Sequence, residues 1–229
     1  MANGVSDSRF FTADTLRFLR ELGNHNNRPW FEENKGRYQA SIQQPALRFI
    51  EAVAPLIGKL SPHLVADARP FGGSLLRIYR DTRFSKDKSP YKTNVALHFF
   101  YDRGADRVGL PGFLFHIAPG ESVVHSGIYH PEPALLRKIR DQIVASPNSW
   151  ARVLRGNLEI GGDSYVRPPA GYDPGHRYAD DLRRKDFYAS VHISDATITG
   201  PHLDVAFGKA CRRLDPLNRF LAGVIGIPW

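Results

Sequence analysis

The 229-residue sequence predicts an α+β fold, with a central antiparallel β-meander and helices from both ends of the chain packed against it. Three observations lead there. The segment up to Leu60 carries helix-start residues and apolar positions at helical spacing. From about Ser74, the β-branched or aromatic runs "SLLRIY", "VALHFFY", "GFLFHIA" and "SVVHSGIY" alternate with Gly, Pro and charged turns. Beyond Pro131 the helical spacing returns, interrupted by one further strand-like run.

Residues 1–9 read as a flexible leader and residues 10–229 as one α+β domain. Thr12 is placed to cap a helix through about Leu22, with Leu16, Leu19 and Leu22 on one face and Gly23 as its stop. "HNNRPWFEENKGRY" restarts the helix: Pro29 suits a first turn, Glu32 and Glu33 oppose its positive end, and Trp30, Phe31 and Tyr38 supply packing. Pro45 opens an apolar segment through Phe49, Ile50 and Val53 to Leu60, which Pro55 is expected to kink or end early. Short loops between the later strand runs make neighbours in sequence neighbours in the sheet. Leu135, Leu136, Ile139 and Ile143 then mark one face of a helix, and Pro147 begins a shorter one around Trp150. "GGDSYVRPPAGYDPGHRY" reads as loop and "FYASVHIS" as another strand, followed by Asp195 as a candidate cap. Two helices, around residues 201–214 and 216–225, are expected to close the chain.

Composition sets the class. Apolar content of 42% with 14 Phe, 9 Tyr and 3 Trp suffices for a packed interior. A formal charge of +8 and a pI of 9.7 favour anionic partners: nucleic acid, phosphorylated metabolites or an anionic surface. Cys211 is the one cysteine, which excludes an intrachain disulfide, and it reads as a small buried thiol on a helix. "MANGVSDSRFF" lacks the regions of a signal peptide, and "FLAGVIGIPW" is too short to span a bilayer, so a cytoplasmic protein with no membrane partner is expected. Nothing in the sequence sets an oligomeric state.

The stretch hardest to explain as packing is "RIYRDTRFSKDKSPYKTNV". Residues 77–92 hold three arginines, three lysines and two aspartates, a net charge of +4, between strand-like runs. Strand parity puts Arg77 and Tyr79 on one face, and Ile78 and Arg80 on the other. Asp81 and Asp87 cannot neutralise all six cations, so the surplus requires water, distant carboxylates such as Glu32 or Glu33, or an anionic ligand. Arginine forks match phosphate and carboxylate oxygens, and the hydroxyls of Ser85, Ser89, Tyr91 and Thr93 supply further donors. A strand that ends at Arg80 leaves Arg80 and Arg83 for the ligand and gives Arg77 to a carboxylate.

"HNNRPWFEENKGRY", "RIYRDTRFSKDKSPYKTNV", "PGFLFHIAPGES" with "SGIYHPEP", and "RPPAGYDPGH" occur in an order that resembles a conserved family of unknown function, domain-of-unknown-function family 2461. The resemblance covers about residues 10–220 and places Trp30, Phe31, Lys35, Tyr38, Arg77, Arg80, Asp81, Arg83, Phe84, Lys86, Asp87, Lys88, Pro90, Tyr91 and Lys92 at motif positions. It implies a shared fold and a shared site, and brings no activity with it. Before "SGIYHPEP" the chain departs from the glycine-rich approach expected, carrying Val124 and His125.

The candidate ligand-binding set is therefore Arg80, Arg83, Ser85, Lys86, Lys88, Tyr91 and Lys92, joined by Lys35 and Tyr38, with Arg77, Asp81, Asp87, Trp30 and Phe84 as structural support. His98, His116 and His125 fall on three consecutive predicted strands and can share a sheet face, but no metal-binding spacing is present. "FGGS" and "IGGDS" are glycine pairs, not nucleotide-cofactor loops. The sequence supports a site and no particular reaction. Its first functional reading is a protein, catalytic or not, that holds a small anionic or phosphorylated ligand at residues 77–92. The alternative is a nucleic-acid-binding module that joins this loop to Arg183, Arg184, Lys185, Arg212 and Arg213 over an open surface.

Overall fold

The computed structural model describes residues 9–83, 85–102 and 109–229. Thr12, extended at φ −125°, caps α1 (Ala13–Asn24): its hydroxyl accepts from the Asp14 amide, and the Thr12 amide donates to Thr15 Oγ1. The helix passes through Gly23 and ends one residue later. Asn27 caps α2 (Arg28–Glu33), with Pro29 in the first turn; α3 (Lys35–Tyr38) follows, then a π-helical turn over Gln39–Gln43 and α4 (Gln44–Leu60). Pro45 has no amide hydrogen for the Ser41 carbonyl one turn back. That carbonyl accepts instead from the Thr15 hydroxyl at 2.8 Å, which ties α1 to the π turn.

Two prolines expected to break helices do not. α4 continues through Pro55 to Leu60, and the two helices expected near the C-terminus are one. An interior proline costs a helix about 3 kcal/mol. Val53 and Ile57 flank Pro55, and Leu214 and Leu217 flank Pro216, all within 1% of full burial, so packing on both sides outweighs the local cost.

Among the described residues the sheet has six strands in the order β1-β2-β3-β4-β6-β5, every neighbouring pair antiparallel. These are β1 (Leu64–Val65), β2 (Val95–Tyr101), β3 (Phe113–Ile117), β4 (Val123–Ile128), β5 (Ile160–Gly161) and β6 (Phe187–His192). The expected meander is present as β2-β3-β4, whereas "SLLRIY" does not form a regular strand. It meets the chain at two isolated bridges, Leu75 opposite Leu97 and Tyr79 opposite Tyr91. The two-residue β1 and β5, at the sheet's edges, fall where the sequence carries no alternating run.

Alternation along β3 buries Phe113, Phe115 and Ile117 and leaves Leu114 and His116 half-covered. The buried side meets α4 and α9 (Leu203–Ile225), where Phe49, Phe99, Phe115 and Phe207 pack with ring centroids 5.3–5.6 Å apart. Cys211 lies fully buried on α9, and burial pushes its thiol well above the usual range. Between β4 and β6 run α5 (Pro133–Ala145), α6 (Pro147–Val153) and α7 (Ala179–Leu182), and α8 (Asp195–Ile198) links β6 to α9. No helix among the described residues is long and apolar enough to cross a membrane. The leader expected over residues 1–9 lies, apart from Arg9, outside the described residues.

Candidate functional site

The basic stretch is a hairpin. Leu76 donates to the Ala96 carbonyl and His98 to Ser74 near its base; Lys92 donates to Ile78 and Arg80 to Pro90 further out. Its arms thus stay paired as far as Arg80, and residues 81–83 and 85–89 belong to the tip. Parity holds along the first arm: Arg77 and Tyr79 are exposed, Ile78 is buried, and Arg80 is half-covered.

A clamp fixes the hairpin to the helices. Asn26, in the turn between α1 and α2, donates to the Tyr91 carbonyl at 2.9 Å and accepts from the Tyr91 amide at 3.0 Å. The Tyr91 ring stacks on Phe31 with centroids 4.1 Å apart and is 2% exposed. Trp30 packs on Phe18 and stacks on His25, holding the same corner from behind. Asn26 falls within "HNNRPWFEENKGRY", but an asparagine between two helices carries no periodic signal, and only the fold brings it to Tyr91.

At the tip the cations are largely spoken for. Arg80 Nη1 donates to Asp87 and to the Ser89 hydroxyl, and its Nη2 lies 3.5 Å from Ser85 Oγ. Asp87 also accepts from the Ser89 amide at 2.8 Å, and Arg80, then Ser89, hold its carboxyl down to about 2. Arg83 pairs with Asp81 through Nε at 3.0 Å and Nη2 at 2.7 Å, keeping that carboxyl below its usual range. Lys88 Nζ donates to the Thr82 carbonyl at 2.9 Å, and Lys86 is exposed. Phe84 lies outside the described residues.

The hairpin separates two clefts: Arg80, Tyr91 and Lys92 face one, Lys35 and Tyr38 the other, and Arg83, Ser85, Lys86 and Lys88 line neither. One cleft, of about 440 Å³, is lined by Arg80, Asp87, Ser89, Tyr91 and Lys92, with Asn26 at its wall. The other, of about 240 Å³, gathers Lys35, Tyr38, Gln39, Gln43, Arg77 and Tyr79. Lys92 Nζ donates to the Arg77 carbonyl at 3.0 Å, and burial, then Arg77, lower its affinity for a proton. Burial, with Tyr79 nearby, pushes the Tyr38 phenol up to about 12, so it is a neutral donor at pH 7. Lys35 makes one exposed contact with Glu32 at 3.4 Å. Arg77 has no ion pair or side-chain hydrogen bond among the described residues; the carboxylate expected for it is present only as the charge of Asp81, which Arg77 helps to hold ionised while Arg83 makes the direct contact.

The two arginines thus differ in a way parity alone did not set. Arg80 closes the tip upon itself, whereas Arg77 faces a cleft that no carboxylate lines. Among the described residues, no three His, Cys, Asp or Glu side chains gather to hold a metal ion.

A family model described as a conserved hypothetical protein, DUF2461, matches residues 14–220. The chain belongs to the DUF2461 family. No curated protein and no solved structure matches it. In this DUF2461 chain the match spans α2, α3 and the π-helical turn, the hairpin and the whole sheet.

Proposed function

We propose that the chain binds a small anionic ligand, a phosphate or carboxylate compound, in the 240 Å³ cleft that Lys35 and Arg77 share with Tyr38 and Tyr79. The observation that carries this reading is Arg77, a hairpin arginine with no ion pair or side-chain hydrogen bond among the described residues, on a cleft with no acidic lining; the one carboxylate whose charge it favours, Asp81, is paired with Arg83. Its guanidinium offers a fork to two oxyanion oxygens, Lys35 a point charge, and Tyr38 a neutral hydroxyl donor. The amides of Gln39 and Gln43 come from a π-helical turn, an irregularity that recurs at functional sites. Charge-assisted hydrogen bonds contribute about 1.5–3 kcal/mol each. Solvent screening of these exposed cations and the entropy of binding leave about 4–8 kcal/mol, a dissociation constant between about 1 mM and 1 µM.

The alternative nucleic-acid surface would join the hairpin to Arg212 and Arg213 on α9 and to three consecutive cations, Arg183, Arg184 and Lys185. Those three precede β6 at its Phe187 end, whereas the hairpin enters β2 at Val95, beside the opposite end of the sheet. Arg183 and Arg184 are also paired with Asp180 and Asp181. This separation favours the small ligand.

The test is thermal stabilisation by inorganic phosphate and pyrophosphate at constant ionic strength. Arg77→Met and Lys35→Met should fold and lose the shift, while Lys92→Met keeps it. Retention of the shift by Arg77→Met, or its loss only in Lys92→Met, refutes the assignment. Duplex DNA binding that weakens with salt at a log–log slope near −0.9 per phosphate would favour the nucleic-acid reading instead.

A further inference from the structure

The face of the sheet turned away from α4 and α9 carries its own chemistry. Cross-strand register places His98 opposite Leu114, Leu114 opposite His125, and His125 opposite Ser190. Residues directly opposite one another project to the same side, so these four form one row across β2, β3, β4 and β6. His116, two residues along β3, and His192, two along β6, lie on that side as well.

A cleft of about 510 Å³ opens on this row. His98, Leu110, Leu114, His125, Tyr129 and Tyr188 supply its walls, and no Asp, Glu, Lys or Arg of the described residues lines it. That composition stands out in a chain of net charge +8. Tyr188 meets His125 edge-on, with centroids 6.2 Å apart at 77°, and meets Tyr129 at 5.8 Å and 66°. The rings therefore form walls around a space and do not stack to fill it.

His125 is the polar centre. Its Nδ1 is 2.7 Å from Ser190 Oγ, a hydroxyl that can either donate or accept. Nε2 makes no hydrogen bond to another described residue, so either tautomer leaves it, as donor or acceptor, for a ligand. Burial, followed by His116 and His192, holds the imidazole below the usual histidine range and hence neutral near pH 7.

We propose that this cleft is a second ligand site, distinct from the anion cleft, for an uncharged molecule with a flat apolar body and one hydrogen-bonding group that meets His125. Leu110 and Leu114 with the two tyrosine rings bury the body; Ser190 steadies the imidazole. A charged group would lose its hydration without gaining an opposite charge, which is costly.

Phenol, benzamide and benzoate titrated into protein labelled at histidine nitrogens provide the test. Phenol and benzamide should shift the His125 ring signals at millimolar concentration, with benzoate at least tenfold weaker at the same signals. Leu114→Trp, which fills the cleft, should weaken the neutral probes at least tenfold by ligand-observed NMR. His125→Phe, which keeps a ring and removes the nitrogens, should weaken benzamide at least fivefold and decides the matter if Leu114→Trp does not fold. Arg77→Met should leave these affinities unchanged, which separates this site from the anion cleft. The proposal is overturned if the neutral probes leave His125 unmoved, if benzoate matches benzamide there, or if the His125→Phe affinity equals that of the unaltered chain.

Discussion

Replacing Asn26 by alanine tests how the hairpin is held. The side chain makes two hydrogen bonds, at 2.9 and 3.0 Å, to the carbonyl and amide of a single residue, Tyr91, whose ring is 2% exposed. Leaving a buried backbone group unsatisfied costs about 1–3 kcal/mol, so two would cost about 2–6 kcal/mol if no water reached them. Asn26 and Tyr91 border the 440 Å³ cleft, however, and water entering there re-solvates part of the exposed backbone. The expected loss is therefore about 2 kcal/mol, at the low end. In a chain of 229 residues that corresponds to about 4–8 °C in Tm. Urea unfolding followed by tryptophan fluorescence measures it, with an unchanged m-value if the native state is intact. Asn26→Asp discriminates further, because a carboxylate accepts from the Tyr91 amide but cannot donate to its carbonyl. It should recover less than half of the loss. If Asn26→Ala unfolds within 0.5 kcal/mol of the unaltered chain, a threshold near the usual scatter of surface substitutions, the clamp carries no stability and the reasoning fails.

Two further outcomes follow from geometry elsewhere. Arg37 binds both Asp14 and Glu21, holding the Asp14 carboxyl well below the usual carboxylate range and the Glu21 carboxyl below its own. Carboxylates lowered on folding contribute stability above their unfolded values, near pH 4, and lose it as pH falls through the folded ones. Acid titration should thus destabilise the chain below about pH 4, and Arg37→Met should cost about 1 kcal/mol at pH 7, solvent screening of these partly exposed side chains included, and progressively less below pH 4, measured by chemical unfolding at each pH. At Gly127, φ is 107° and an added Cβ would sit 2.2 Å from the Phe187 carbonyl oxygen. Gly127→Ala should therefore destabilise by about 3 kcal/mol or more, seen as a large fall in Tm, and a near-neutral result would contradict the β4–β6 register.

Features that depend on near neighbours were legible in the sequence. The Thr12 cap, Pro29 and Pro45 in first turns, and the alternation of β3 all follow from residues within a few positions of one another. So does the shared face of His98 and His125, because period-two alternation in adjacent antiparallel strands preserves the side. Features that depend on partners far along the chain were not. The continuation of α4 past Pro55 needs the buried face formed with α9, about 150 residues later, and the β2 edge that "SLLRIY" meets at Leu97 is paired at Phe100 and Tyr101 by β1, a partner with no alternating run to announce it. The Asn26 clamp spans 65 residues, and Thr15 meets Ser41 across 26.

The division between Arg77 and Arg80 shows where such reading stops. Parity separates the two side chains, but it does not say which of them the protein consumes internally. That is decided by Asp87 and Ser89, which the tip folds back onto the Arg80 side. An arginine engaged by a carboxylate and a hydroxyl must break those contacts before it can bind an external anion, and the regained interaction offsets only part of what is lost. One that is half-free keeps its full hydrogen-bonding capacity for a ligand. The cations of the hairpin therefore serve two ends: Arg80, Arg83 and Lys88 make the contacts that fix the tip, and Arg77 lines the cleft with Lys35 and Tyr38. A cluster that looked like surplus charge is, on this geometry, a brace on one side and an exposed fork on the other.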